Sequence, residues 1–283
     1  MEIYGLLGRW NPLNVKRLHQ RPYNGKNVLV VGLGPAGYTL AHHLVCEGFG
    51  VVAIDGLKIE PLPKEMVGAH GEVPPPIRDF STLYRELDER LLLGFGGVSE
   101  YGITVRWDKN FLTLLYITLA RHRTLRIYGG IRFGGTLTLD DAWQLGFDHV
   151  AIAAGAGRPT IIDMKNNLAR GIRKASDFLM ALQLTGAYKH SSIANLQVNL
   201  PAVVIGGGLT AIDTATELIA YYLVEVEKTA TRYATLVREK GEAAVRAMFD
   251  GDEWALLQTH LAHGTQVLAE RERAASEGRE PRF

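Results

Sequence analysis

The stretch NVLVVGLGPAGYTLAHHLVCEGFGVVAID, from Asn27 to Asp55, limits what this chain can fold into more than any other part of it. Asn27–Val31 is a continuous apolar run, short enough for one buried strand. GLGPAG follows, then a helical pattern over YTLAHHLVC closed by Gly48 and Gly50, then the second apolar run VVAID. Strand, glycine loop, helix and strand make one βαβ unit, which predicts an α/β fold with helices covering a parallel sheet. Gly32, Gly34 and Gly37 stand in the GxGxxG spacing. The first permits a tight turn off the strand, the second leaves room for a pyrophosphate at the helix N-terminus, and the third lets the helix pack close on the sheet. Alone the hexapeptide is a weak signal, because a plain glycine turn reads the same way. The flanking strand and helix raise it, as does Asp55 about twenty residues on, where a carboxylate accepts hydrogen bonds from a ribose.

A second loop of this kind comes late. PAVVIGGGLTAID predicts a strand, then Gly206, Gly208 and Ala211 in the GxGxxA form, then a helix in which Thr210 can cap as readily as bind phosphate. A nicotinamide dinucleotide site also needs a second strand, usually followed by a cation for a 2′-phosphate. No such strand follows. IAYYLVEVEKTATRYATLVREK has apolar residues at helical spacing, and Arg232, Arg238 and Lys240 read as solvated positions on it. A second apolar set from Val245 to Leu261 continues beyond a turn at Gly241 or Gly251, and the polar end ERERAASEGREPRF is expected to fray. The dinucleotide domain begun at Val203 is therefore unfinished within these residues.

Between the two loops, residues 56–95 are rich in proline and glycine and read as a long insertion with one helix over STLYRELDERLLL. A helix from Lys109 to His122, strands at Leu125–Tyr128 and His149–Ala156, and a helix over SDFLMALQLTG complete the pattern, with residues 1–24 as an extended lead-in. A formal net charge of +1 gives no reason to expect nucleic acid or an anionic membrane as partner. No apolar run approaches the ~18 residues of a spanning helix, so a cytoplasmic protein is the default. Cys46 is the single cysteine, which rules out an internal disulfide, a CxxC pair or a cysteine-ligated iron–sulfur cluster built from this chain alone. It reads as a small inert residue on a buried helix face. His260 and His263, three apart on a helix, read as a solvated face rather than a metal site.

Five segments occur in the order seen in one flavoprotein family: NVLVVGLGPAGYTLAHHL, GGVSEYGITVR, FDHVAIAAGA, SDFL and VVIGGGLTAID. Over residues 26–215 the chain resembles the FAD- and NAD(P)H-dependent oxidoreductases that include the small (beta) subunit of glutamate synthase. The FAD/NADPH region of dihydropyrimidine dehydrogenase and the ferredoxin:NADP transhydrogenase subunit belong to the same group. The resemblance implies that Gly32, Gly34, Pro35, Ala36 and Gly37 hold the FAD pyrophosphate and Asp55 its ribose, where the family more often has Glu. Gly97, Val98, Tyr101, Gly102 and Ile103 match the stretch that lies along the flavin, with Thr104 in place of a proline. Ala154 and Gly155 lie in the match to the strand end where the chain passes FAD, with Ala154 in place of Thr. Gly206, Gly208, Leu209, Thr210 and Asp213 match the NAD(P)-binding loop, with Leu209 in place of Asn. The family's iron–sulfur module ahead of the first strand and its closing FAD segment have no counterpart here.

The expected architecture is a Rossmann-like FAD-binding domain over residues 25–157, followed by a partial Rossmann-like NAD(P)-binding domain and helical tail over 158–283. The expected activity is electron transfer from NAD(P)H through FAD to an acceptor, an external iron–sulfur protein or domain. No catalytic side chain and no metal are required. Two readings of the unfinished domain stay open: an N-terminal part of a longer polypeptide, or a complete chain with a degenerate second site serving as a non-catalytic flavin- or nucleotide-binding module. A plain NAD-dependent dehydrogenase leaves the YGI and AAGA matches unexplained. The oligomeric state is open.

Overall fold

The computed structural model describes residues 20–68, 72–90, 92–103, 108–157 and 159–283. These fall into two compact units, one drawn from Met1–Tyr101 and Arg106–Thr160, the other from Gly102–Val105 and Ile161–Phe283. Thr104, most of the lead-in and parts of the 56–95 insertion lie outside the described residues.

The first unit is built on a four-stranded parallel sheet of β1 (Asn27–Val31), β2 (Gly50–Ile54), β3 (Leu125–Tyr128) and β4 (His149–Ile152), ordered β3-β2-β1-β4. Val28 is registered with Val51 on one side and His149 on the other. Parallel neighbours need crossovers. These run through α1 (Pro35–Cys46), then α2 (Lys64–Val67) and α3 (Lys109–Ala120), then α4 (Leu139–Gln144). The apolar runs are continuous because both faces of the sheet are covered. Val28, Val30, Val51 and Ala53 pack with Tyr38, Ala41 and Val45 of α1 and Phe111, Leu112 and Leu115 of α3. Leu29, Val31 and Ile54 point the other way, onto Ala142 of α4. The strand expected over His149–Ala156 ends at Ile152, and the chain beyond it opens into a loop.

The insertion is packed against α1 and α3 rather than looped out. Phe95 is 1% exposed between Tyr38, whose ring centroid is 5.6 Å away, and Tyr116, stacked at 4.8 Å. Burying a ring of that size contributes about 3 kcal/mol. The Tyr116 hydroxyl, whose pKa burial pushes up to about 12, donates to the Glu60 carbonyl at 3.1 Å. Arg121 reaches the carbonyls of Met66 and Pro75 at 2.8 and 3.0 Å. The helix expected over 81–93 does not form across its described residues, which hold only a 3₁₀ turn, Phe80–Leu83, and irregular chain. Asn110 explains this. Its side chain accepts from the Arg85 N–H and donates to the Arg85 carbonyl, both at 3.0 Å, and so takes the two backbone groups a helix would use.

The second unit is helical in its described residues: α5 (Ala175–Leu184), α6 (Leu209–Lys240), α7 (Glu242–Arg246) and α8 (Gly251–Glu277). No strand forms at Val203–Ile205, where Val203 is 84% and Ile205 60% exposed. A lone strand has no ladder to satisfy its backbone, and no described residue of this unit offers one. Gly241, with φ 80°, ends α6, while Asp250 and Glu253 form a capping box at the start of α8. The two long helices meet closely at Gly264, where a Cβ would lie 2.3 Å from the Val226 carbonyl oxygen. α8 runs on to Glu277 instead of fraying, because the Glu270 carboxylate collects Arg279, Arg273 and the Arg282 N–H.

Segment 187–198 lies along α6 through polar anchors the sequence does not announce. Buried Lys228 donates to the carbonyls of Ala187 and Ala194, and the Glu225 carboxylate accepts from the Val198 N–H at 3.0 Å. His260 is buried and bonded to the Val198 carbonyl oxygen at 3.1 Å, and His263 pairs with the Tyr222 hydroxyl at 2.7 Å. The expected solvated histidine face is thus a packed one, since both imidazoles find partners on neighbouring chain. Arg232 likewise is bound, to the carbonyls of His190 and Ser192, while Arg238 and Lys240 are exposed as expected. Among the described residues no helix is long and apolar enough to cross a membrane.

Candidate functional site

The sheet order places a reversal between β1 and β4, and in open α/β sheets ligands bind outside the carboxyl ends of the strands at such a switch point. The glycine loop lies there. Gly32 has φ 98°, and a Cβ on it would stand 2.5 Å from the Ala153 carbonyl oxygen, where the loops leaving β1 and β4 separate. A Cβ on Gly37 would stand 1.7 Å from the Gly32 carbonyl oxygen, so this glycine lets α1 close on the loop. Gly34 differs from both. A Cβ there would meet nothing nearer than the Gly97 Cα at 3.9 Å.

Gly34 is the N-cap of α1, without a side-chain cap, Pro35 opens the helix, and the first turn carries no acidic residue. Helix geometry leaves the N–H groups of Ala36 and Gly37 without intrahelical acceptors, and the dipole makes that end positive. An uncapped, acid-free helix start of this kind is favourable for an anion.

Asp55, just past β2, binds the loop itself. One carboxylate oxygen accepts from the Leu33 N–H at 2.8 Å and the other from the Leu57 N–H at 2.9 Å. Each oxygen keeps a further lone pair for an external donor.

The Gly97 segment closes the opposite side. Gly96 and Gly97 have φ 107° and 52°, and a Cβ on Gly97 would lie 2.8 Å from the Gly34 Cα. Val98 is 44% exposed beside it. This turn is held from behind by charges that sequence reading missed. Lys109, 4% exposed, donates to the carbonyls of Ser99 and Tyr101 at 3.0 and 2.9 Å. Arg90 and Glu100 form a buried bidentate pair, with one contact at 2.9 Å. The signal for Lys109 is a cation opening a mostly apolar helix, KNFLTLLYITLA. Gly32, Gly34, Pro35, Ala36, Gly37, Asp55, Gly97 and Val98 are thus brought together.

Tyr101 belongs to this unit, whereas Gly102 and Ile103 are assigned to the second, where the Ile103 N–H donates to the buried Glu217 carboxylate. Ala154 and Gly155 are exposed beyond β4, and Gly155 has φ 76° with open space around it. In the second unit Gly206 has φ 141°, and Gly208 is the N-cap of α6. Thr210 is already inside the helix and does not cap it; its carbonyl accepts from the Thr214 hydroxyl at 2.7 Å. Leu209 is 80% exposed, and Asp213 follows one turn on. This second cradle is an uncapped helix start without a sheet behind it among the described residues.

A model of the pyridine nucleotide-disulphide oxidoreductase family matches residues 26–272. The chain is also 46% identical over 233 residues to an uncharacterized protein, RP006, of Rickettsia prowazekii (strain Madrid E); the match takes in 82% of this chain. It spans only 32% of that relative's length. With its βαβ start, parallel sheet and glycine cradle at the switch point, the chain belongs to the pyridine nucleotide-disulphide oxidoreductase family.

Proposed function

We propose that residues 25–157 hold FAD and that residues 158–283 supply part of an NAD(P)H site, in an oxidoreductase of the glutamate synthase small-subunit type. The observation that carries this reading is the acid-free, uncapped start of α1, where a Cβ on Gly34 would meet only the Gly97 Cα, at 3.9 Å. Gly32, Gly34, Pro35, Ala36 and Gly37 would take the pyrophosphate. Asp55 would accept from the ribose while its other lone pairs hold the loop. Gly97, Val98, Tyr101, Gly102 and Ile103 would line the flavin, and Ala154 and Gly155 would lie where the chain passes it. Gly206, Gly208, Leu209, Thr210 and Asp213 would meet the nicotinamide dinucleotide. FAD supplies hydride acceptance and onward electron transfer when bound; the protein supplies position and field. The acceptor would be a partner iron–sulfur protein or domain.

A non-catalytic flavin- or nucleotide-binding module is the second reading. Its support is the exposed Val203 and Leu209 and the unpaired segment behind the second loop. The visible spectrum of the purified chain separates the two. Flavin absorption that bleaches with NADH or NADPH supports the oxidoreductase, and flavin that does not bleach supports the module. Titration of this chain alone with either nicotinamide cofactor is expected to give weak or no binding. Tight binding would show that the second cradle needs no further strand.

A further inference from the structure

At the end of α1 remote from the glycine loop, three metal-ligating side chains converge that the proposed flavin and nicotinamide sites do not use. His42 and Cys46 stand four apart, on one face of the helix, and His122 follows the last turn of α3. One ligand atom from each lies within 4.8 Å of the other two. The Cys46 sulfur is 3.6 Å from His42 Nε2. A tetrahedral zinc with bonds of ~2.0 Å to nitrogen and ~2.3 Å to sulfur sets that edge at about 3.5 Å. The His42 and His122 rings face each other edge-on, with centroids 5.4 Å apart. His122 Nε2 is buried with no hydrogen-bond partner, and a buried polar atom so placed calls for an explanation. The backbone fixes His122 in place: its N–H donates to the Leu119 carbonyl at 3.0 Å, and its own carbonyl accepts from Leu125 at 3.2 Å. Cysteine that reads as inert from sequence is here half-buried between two imidazoles.

We propose that His42, Cys46 and His122 bind one zinc(II) ion, with water as the fourth ligand reached through the half-exposed Cys46 and His122. Two imidazoles and a thiolate are a ligand set that selects a thiophilic tetrahedral cation over magnesium or calcium. The ion would tie α1, whose other end carries the glycine cradle about 15 Å away along the helix axis, to α3, whose Lys109 holds the Gly97 turn. Binding releases the thiol proton to solvent as sulfur becomes a ligand.

Cobalt(II) is the probe, because Cys46 is the chain's one cysteine and any thiolate-to-cobalt absorption must come from it. Cobalt added to the chelator-stripped full chain should give a near-ultraviolet thiolate charge-transfer band that saturates at one equivalent and is displaced by zinc. The band should be lost in Cys46→Ser and in His122→Ala, with circular dichroism unchanged. Should either variant misfold, the parent protein still decides: zinc should slow alkylation of Cys46 by a thiol reagent, and a chelator should restore the rate. Cobalt bound without a thiolate band, or alkylation indifferent to zinc, would overturn the site and leave the trio as a packed hydrogen-bonded cluster.

Discussion

At Gly37 a methyl group would sit 1.7 Å from the Gly32 carbonyl oxygen, whereas at Gly34 the nearest atom is the Gly97 Cα at 3.9 Å. The same substitution therefore has two different outcomes. Gly37→Ala should destabilise the fold by about 1–3 kcal/mol through overpacking against backbone. Gly34→Ala, at φ −72°, should leave stability unchanged or raise it by up to ~1 kcal/mol, because alanine fits that backbone and restricts the unfolded chain. Denaturant melts of the two variants check this. The spacing of the glycines was legible in sequence because Gly32 and Gly37 answer close backbone demands, with Gly34 between them. What holds the facing turn was not. Lys109, Arg90 and Glu100 reach it across loops whose path depends on the whole insertion, and no local pattern marks a charge that will end up buried.

The Arg90–Glu100 pair is where the insertion is joined to the Gly97 turn, and both side chains are under a tenth exposed. Breaking a buried charge pair is costly, so Arg90→Met should destabilise by about 3–5 kcal/mol, and adding Glu100→Leu should recover part of it. Chemical unfolding of the single and double variants measures the difference. In the second unit, burial pushes Glu225 up to about 8 from its ordinary 4.5, against the opposing hydrogen bond from Val198 and the charge of Arg173. A carboxyl raised on folding binds its proton more tightly in the native state. Its contribution is full below about pH 4.5 and is lost as pH rises towards about 8. The slope should be up to about 1.4 kcal/mol per pH unit, and Glu225→Gln should flatten it in melts across that window. The strands β1 to β4 could be read from sequence because each is a short apolar run buried on both faces. The helix over 81–93 could not, since Asn110, distant in sequence, takes its backbone groups. The strand at Val203 reads well in isolation and does not form, because a strand needs neighbours and a sequence pattern does not supply them.

Across the whole molecule the family assignment rests on a match over residues 26–272, and the sheet order puts the glycine loop at the switch point beside β1. The chain spans about a third of its Rickettsia relative, so the electron donor and acceptor are proposals, while the glycine loop is a property of these residues. That cradle is the central claim, and FAD retention tests it most directly. Purified chain incubated with FAD and desalted should keep close to one flavin per protein, and Gly34→Ala should keep almost none while melting like the parent. A parent chain that retains no flavin, or a Gly34→Ala variant that retains as much as the parent, would contradict the account.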